Sequence, residues 1–408
     1  MKIAVIGSGI SGLSSAFYLS KKYKVDLLEQ DDHFGGHSYT YDISSSKKTI
    51  PVDLGFIVFN ELTYPNLIKF FKELKVPFEK SDMSFSVSVQ NTNIEYGGRG
   101  LGAIFANKRN IFNLNFLKMI KEIIIFYKSA PSLLNTNLSQ ITLGSYLNDK
   151  KFSKYFVEYH IIPMVAAIWS MPFSKAKEMP LELFLKFFIN HGLFKFKNRP
   201  QWYTVSNRSR TYVKKVLANI SGEVFKNYRV SKIIRNDNNV RILIGNEYLD
   251  YDQVILASHA DQSLRLLESP SKEEERILGK FKYISNIAIL HTDERLMPKK
   301  KIAWSSWNSI SKEDKTCVTY WLNKLQNLKS DTNYFLTLNP IFEPNDKRVI
   351  QKINYTHPYF NAQTLSHQKE LNSLQGKKRT WYCGAYFGYG FHEDGIKSSI
   401  NLIKNFKI

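Results

Sequence analysis

The chain has only two cysteines in 408 residues, Cys317 and Cys383. They lie far apart and in no metal-ligand spacing, which excludes a disulfide framework and a cysteine-held zinc site and fits a reducing cytoplasm. No uninterrupted apolar stretch approaches the ~18 residues of a membrane span. The N-terminal apolar run is short and is stopped by Gly7, which is no signal-peptide pattern. Internal repeats and low-complexity tracts are missing too. So is any G-x-S-x-G nucleophile elbow, which sets serine hydrolysis aside. Acidic residues are scarce: 36 Asp and Glu against 57 Lys and Arg leave a net charge of +21. Such an excess suits an anionic membrane or nucleic acid, and a lysine-rich proteome would produce it with no partner at all.

Apolar surface, by contrast, is plentiful. With 43% hydrophobic and 14% aromatic residues the chain can bury a large core, and its length suggests two domains. The strongest motif opens the chain, in MKIAVIGSGISGLSSAFYLSKKYKVDLLEQ. Ile3 to Ile6 reads as a buried parallel strand, Leu13 to Lys22 as a helix and Val25 to Leu28 as a second strand. Between the first two lie Gly7, Gly9 and Gly12, spaced G-x-G-x-x-G. In that context the glycines allow a tight turn, close approach of backbone to a pyrophosphate, and close helix–strand contact. The helix start, with Ser11, offers free N–H groups and a partial positive charge to a phosphate. Glu29 is placed to accept hydrogen bonds from a ribose.

A second glycine pair follows, Gly35-Gly36, with His37 and Thr40 after it. This resembles the E-x(5)-GG-R-x-x-T extension of the FAD-binding amine oxidase and phytoene desaturase superfamily, with His37 where arginine is commonest. The resemblance favours FAD over NAD and implies that the pair, with His37, lies beside the pyrophosphate. Covalent attachment of a flavin is an alternative role for His37.

Further along, Val52 to Phe56 suggests a strand end, Pro65 to Leu74 a helix, and the alternating Phe85 to Val89 a strand. Phe112 to Tyr127 and Leu181 to Phe196 read as helices rich in Phe, Ile and Leu with interleaved lysines. Three readings fit them: a membrane interface, the walls of a hydrophobic substrate cavity, or plain core with snorkelling lysines. The stretch Phe116-Leu117-Lys118-Met119-Ile120-Lys121 is the better interface candidate. Strands over Val224 to Ile234, Val240 to Ile244 and Val254 to Ala257 lead into Ser258-His259-Ala260-Asp261. Trp381 to Cys383 is a last strand, turned by Gly384, with a helix over Gly395 to Ile403. The expected architecture is α/β: a Rossmann-like FAD-binding domain of amine oxidase or glutathione reductase type with an inserted α+β substrate domain. Residues 1–62, 200–268 and 375–408 are expected to form the nucleotide domain, and 63–199 with 269–374 the substrate domain.

The blocks VDLGFIVFNELTYPNL, SDMSFSVS, IIPMVAAIWSMP, LASHADQSLRLL, ILHTDERLMP, VTYWLNKLQ, LTLNP and GYGFHEDG run in order along the chain. Together they resemble a bacterial group of flavin-containing amine oxidoreductases, similar to an enzyme of furan fatty acid synthesis that dehydrogenates a phospholipid acyl chain. The resemblance implies FAD, the two-domain fold and a lipid-like substrate; related folds also oxidise amines, porphyrinogens and carotenoids. One departure stands out. Val205-Ser206-Asn207-Arg208-Ser209-Arg210 lies where the group has V-x-G-G-S-R, and an altered turn is expected there, because Arg208 tolerates positive φ poorly.

The cofactor-binding set on this reading is Gly7, Gly9, Ser11, Gly12, Glu29, Gly35, Gly36, His37, Val230 (against the adenine), Gly384, Gly390, Glu393 and Asp394. Glu393 and Asp394 have a second reading, as caps of the C-terminal helix. That helix start could stabilise charge on a reduced flavin. His392 is the candidate general base, with a pKa suited to neutral pH. Tyr386 and Tyr389 are candidate walls of the flavin, or ordinary core, and His291 is a weaker base candidate. No metal is expected. The expected partners are a lipid or other hydrophobic small molecule and an anionic membrane surface, not nucleic acid, with the protein peripheral at the inner face of the membrane. Three functions remain open: an FAD-dependent dehydrogenase of acyl lipid, an FAD amine oxidase, and a flavoprotein that binds FAD only as a structural part of a membrane-associated complex. An amine oxidase would call for an acidic, aromatic-caged entry, and the sequence shows no carboxylate cluster.

Overall fold

A computed structural model describes residues 1–408 except 45–47, 139, 170, 313–314 and 407–408. Its centre is a five-stranded parallel sheet in the order Val224–Phe225, Lys24–Leu28, Lys2–Ile6, Gln253–Leu256, Thr380–Tyr382. Ile3 pairs with Val25 on one side and Gln253 on the other. The middle strands are apolar along their length because both faces of the sheet are covered. On one face lie the helices Ile10–Leu19, Arg210–Leu217 and His392–Asn405, with Leu13, Phe17, Val213 and Ile396 in a shared core. On the other face a three-stranded antiparallel sheet (Val230–Arg235, Val240–Ile244, Glu247–Tyr251) and the helix Lys272–Leu278 close a second core.

Three remote pieces of chain thus build one nucleotide domain. Its packing differs from the expected boundaries in two places. The helix Pro65–Glu73 was expected beyond a boundary at 62, yet Leu67, Ile68, Phe70 and Phe71 pack with Phe17 and Ile396 in the nucleotide-domain core. Likewise Ile277, Leu278, Phe281, Leu371 and Leu374 pack beneath the parallel sheet. In each case an apolar helix or turn face finds its partner across the expected boundary, and burial decides the assignment.

The other portion carries a seven-stranded sheet in the order Val349–Tyr359, Lys282–His291, Phe335–Leu338, Lys315–Trp321, Trp307–Lys312, Phe85–Val89, Glu95–Gly97. Helices Leu114–Ser129, Ile162–Trp169 and Leu181–Asn190 pack together in a phenylalanine-rich cluster that also takes in Val87 and Phe360. Leu181–Asn190 is core: Leu181, Leu183, Phe184, Leu185, Phe187 and Phe188 are all buried. Among the described residues no helix is long and apolar enough to cross a membrane.

Candidate functional site

The C-terminal ends of the parallel strands Lys2–Ile6, Lys24–Leu28, Gln253–Leu256 and Thr380–Tyr382 meet Gly7, Glu29, Ala257 and Cys383. Ligands of open parallel sheets bind at this edge. Gly7 has φ +97, and a Cβ on Gly12 would lie 1.8 Å from the Gly7 carbonyl oxygen, so the third glycine is demanded by contact. Gly9 faces open space and ends in the uncapped start of Ile10–Leu19. The first N–H groups of that helix have no intrahelical partner and point at the opening. Gly36, at φ +55, approaches the Gly9 backbone from the other side.

Glu29 is buried at the end of its strand. Its Oε2 accepts from Ser8 N at 2.8 Å and Ser8 Oγ at 2.6 Å, and its Oε1 accepts from Asp31 N at 3.0 Å. A carboxylate has about four acceptor sites, so one is left for a ribose hydroxyl. Tyr228 N donates to Glu29 O, which leads the chain past this carboxylate to Val230, buried at the start of its strand. That is where an adenine contact was expected.

Beyond Gly36 the site turns aromatic. His37, His357, His392 and Asp394 are each partly buried. His37 stacks on Tyr355 with ring centroids 4.9 Å apart and lies 5.3 Å from the His357 ring. His37 Nε2 and Tyr355 Oη are buried without a partner in the protein. Burial lowers the His37 pKa to about 4 and that of His357 to about 3. His259 stacks on Tyr283 at 4.1 Å and is lowered to about 4 by burial, with His37 adding to the shift. His392 stacks on Phe56 at 3.7 Å, and its Nε2 lies 2.9 Å from Ser38 Oγ. Phe391, next to it, packs on Phe187 at 4.9 Å, with Trp169 behind.

Residues 5–74 match the family of NAD(P)-binding Rossmann-like domains. No curated protein matches the sequence. Among solved structures, the CLA-producing fatty acid isomerase from P. acnes superposes with a TM-score of 0.71 at 13% identity, over 100% of this chain and 98% of the isomerase. Putrescine oxidase bound to putrescine gives a TM-score of 0.70 at 13% identity, with 99% of each chain covered. Cyclohexylamine oxidase from Brevibacterium oxydans IH-35A gives 0.67 at 13%, again over 99% of each. At this identity the likeness is one of fold.

The chain has the amine oxidase fold. Within that fold the residues singled out from the sequence separate into three groups. Gly7, Gly9, Ser11, Gly12, Glu29, Gly35 and Gly36 come together at the dinucleotide edge. His37 does not turn towards the cradle as a pyrophosphate ligand; its ring turns away, to Tyr355 and His357, and only its carbonyl is engaged, by Phe56 N at 2.7 Å. Gly384 N donates to Ser398 Oγ, which ties the strand end to the C-terminal helix. Gly390, at φ +93, packs against Pro358 and Phe360.

The second group has capping roles. Glu393 accepts from Asn66 N, Asn66 Nδ2 and Leu67 N at 3.1, 2.6 and 3.0 Å, so it caps the helix Pro65–Glu73 and does not face a cofactor. Asp394 accepts from Phe391 N at 3.0 Å and caps its own helix, with burial raising its pKa to about 7. Glu393→Ala is therefore expected to destabilise the protein by about 1–3 kcal/mol, the range for lost caps and for hydrogen bonds to a charged group. Denaturant titration measures this, and flavin content should not change. Loss of flavin without loss of stability would return Glu393 to the cofactor.

The third group holds the catalytic candidates. Tyr386 is 2% exposed and edge-on to Phe281 beneath the parallel sheet, so of its two readings it is ordinary core and not a wall of the flavin. Tyr389 is partly buried beside Phe187, on the helical layer. His291 is fully buried, with Nε2 2.7 Å from Thr337 Oγ1 and Nδ1 accepting from Asp293 N, which leaves no nitrogen for a substrate. For His392, burial holds the pKa well below 6.5, not near neutrality as expected, and Ser38 occupies Nε2.

The expected change of turn at Asn207-Arg208 does not occur. Both residues keep positive φ, 60° and 77°. For Arg208 that conformation costs about 1–2 kcal/mol, offset by its buried guanidinium, which donates to Pro51 O at 2.8 Å and Gln326 O at 2.9 Å. Ser209 then bonds Asp53 through both N and Oγ, and burial raises that carboxyl to about 6. Sequence reasoning assigned no role to Tyr355, His357, His259 or Phe56. The one available signal was the period-two placing of Tyr355 and His357 on one face of Val349–Tyr359.

Proposed function

We propose that this chain is an FAD-dependent oxidoreductase that dehydrogenates a long-chain acyl group of a lipid. The residues present fit a bound dinucleotide: open space before Gly9, an uncapped helix start, one unused acceptor site on Glu29, and unpartnered polar atoms on His37 and Tyr355. FAD, when bound, supplies the acceptor for the hydride.

The observation that carries the substrate class is the aromatic cluster of Phe56, Trp169, Phe187 and Phe391 packed about His392. Near it, the carboxyls Glu393 and Asp394 are engaged as helix caps, and burial raises the pKa of both, which disfavours the charged form that an ammonium group would need. An apolar chain meeting this cluster displaces water at little polar cost. That the amine oxidase fold also hosts a fatty acid isomerase supports the same reading.

In the reaction the acyl chain loses a hydride to the bound cofactor and a proton to solvent from adjacent carbons and gains a double bond. At an allylic position this needs little help from a base. His392 accordingly acts by position: its neutral ring stacks on Phe56 and orients the Ser38–Tyr212 hydroxyl pair.

Mass spectrometry of the acid-released ligand is expected to find FAD; finding only NAD would sink this reading. Under anaerobic conditions a phospholipid with a methyl-branched monounsaturated chain should bleach the flavin and emerge as a diene. His392→Phe should keep the bleaching rate within about tenfold of wild type. A fall of about 10²–10⁴-fold would mark His392 as the general base after all. Bleaching by putrescine and by no lipid would transfer the assignment to an amine oxidase.

A further inference from the structure

An exposed apolar face lies apart from the dinucleotide edge. Phe112 is 87% exposed, Leu114 81%, Leu101 75% and Ile302 59%, with Ile111 and Leu117 beside them. A Cβ on Gly102 would lie 3.4 Å from Ile302 Cδ1, so the Leu101 and Ile302 turns adjoin. The face is firmly held. Asn107 and Asn110 both donate to Asn93 O at 3.0 Å, Asn113 Oδ1 caps the helix Leu114–Ser129 through Phe116 N, and Phe116 packs inward on Phe105 and Tyr96. The stretch singled out from the sequence therefore divides in two: Phe116 and Met119 are core, and Leu117, Lys118 and Lys121 face out, as does Leu114 before it.

The charge around this face is predominantly basic, with Lys301 paired to Glu294 at 3.5 Å and Arg99 to Asp82 at 4.0 Å. From Tyr96 to Lys121 the chain has five Lys and Arg and no Asp or Glu. Lys299, Lys300 and Lys301, all exposed, precede Ile302 directly. Two of the flanking acids are engaged by backbone: Glu95 accepts from Lys299 N and Lys300 N, and Glu122 accepts from Ser153 N.

We propose that this face docks the protein on an anionic lipid bilayer, with Phe112, Leu114, Leu101 and Ile302 entering the acyl boundary and the surrounding lysines meeting lipid phosphates. Exposed aromatic and aliphatic tips ringed by basic groups match the layered chemistry of a bilayer surface. A second copy of the chain is a poor occupant, because a two-fold contact would set this basic face against itself. The inference stands apart from the dehydrogenase reading, since its test involves no flavin chemistry.

Purified full-length protein should sediment with vesicles of phosphatidylglycerol and phosphatidylcholine, much less with phosphatidylcholine alone, and should be released as salt rises. Phe112→Ser with Leu114→Ser, both at exposed positions, should keep the wild-type melting temperature and bind at least about tenfold more weakly. Lys118→Glu with Lys121→Glu should weaken binding to the anionic vesicles only. Phe112→Trp should show a blue shift of emission on adding vesicles. Absence of sedimentation, equal binding to neutral vesicles, or unchanged binding of the serine variant would each overturn the proposal. So would a wild-type dimer that the serine variant converts to a monomer, which would assign the face to a second copy.

Discussion

Gly12→Ala is expected to yield a protein that holds no FAD and melts far below the wild type. The added Cβ would stand 1.8 Å from Gly7 O and 3.2 Å from Ala257 Cβ, and the nearer neighbour is backbone that cannot rotate away. Relieving the clash requires the helix Ile10–Leu19 to lift from the turn, which separates the uncapped N–H groups from the dinucleotide edge. Overpacking of this kind costs about 1–3 kcal/mol, and more where backbone must move. Gly9→Ala is the matching control. Gly9 has φ −62° and no atom within 4 Å of its Cβ position, so the free protein should keep its stability. That Cβ would instead occupy the approach of the pyrophosphate and weaken FAD binding. Flavin per chain and the melting temperature of the flavin-free protein separate the two effects. Wild-type FAD content in Gly9→Ala would refute the cradle.

Acidification is expected to unfold the protein sharply near pH 5. Seven histidines are buried neutral: His37, His191, His259 and His291 are lowered to about 4, His160 and His357 to about 3, and His392 well below its ordinary value, each chiefly by burial. In the unfolded chain each takes up a proton near pH 6.5. Their contribution is therefore complete above pH 6.5 and falls below it, by about 1.4 kcal/mol per pH unit for each histidine. Asp53 and Asp394 act in the opposite sense. Burial raises them to about 6 and about 7, so the folded state keeps their protons longer, and the stability they add at low pH is lost as pH rises through those values. The histidines outnumber the two carboxyls, so stability falls steeply as pH drops below 6.5. A whole domain is stable by about 5–15 kcal/mol, so one to two units below pH 6.5 suffice. Near-ultraviolet circular dichroism across pH 7 to 4 follows the transition, and His357→Gln should move its midpoint to lower pH. A native signal persisting at pH 4 would mean that these rings meet water in the folded state. Saturating FAD should shift the transition downward, because it binds only the folded chain.

The dinucleotide cradle was legible in the sequence because its requirements are local. Gly7 and Gly12 answer to a clash within one strand–turn–helix unit, and Glu29 ends the next strand, so spacing alone carries the information. The discontinuous parallel sheet was legible for a similar reason: strands buried on both faces leave apolar runs wherever they occur in the chain. The tertiary structure decided what depends on partners far away in sequence. Glu393 became a cap because folding brings Asn66 and Leu67 to it across more than three hundred residues. His37 turned towards Tyr355 and His357, and no local pattern connects these positions. Arg208 keeps a glycine's conformation because Pro51 and Gln326 supply acceptors from two other segments. The helix Leu114–Ser129 shows apolar residues on more than one face, and which of them meet water was settled by Phe105, Tyr96 and Phe194 packing against one side. Backbone geometry and strand burial repeat within a few residues and can be read along the chain, whereas the partner of a polar or aromatic side chain is chosen only when distant segments close on it.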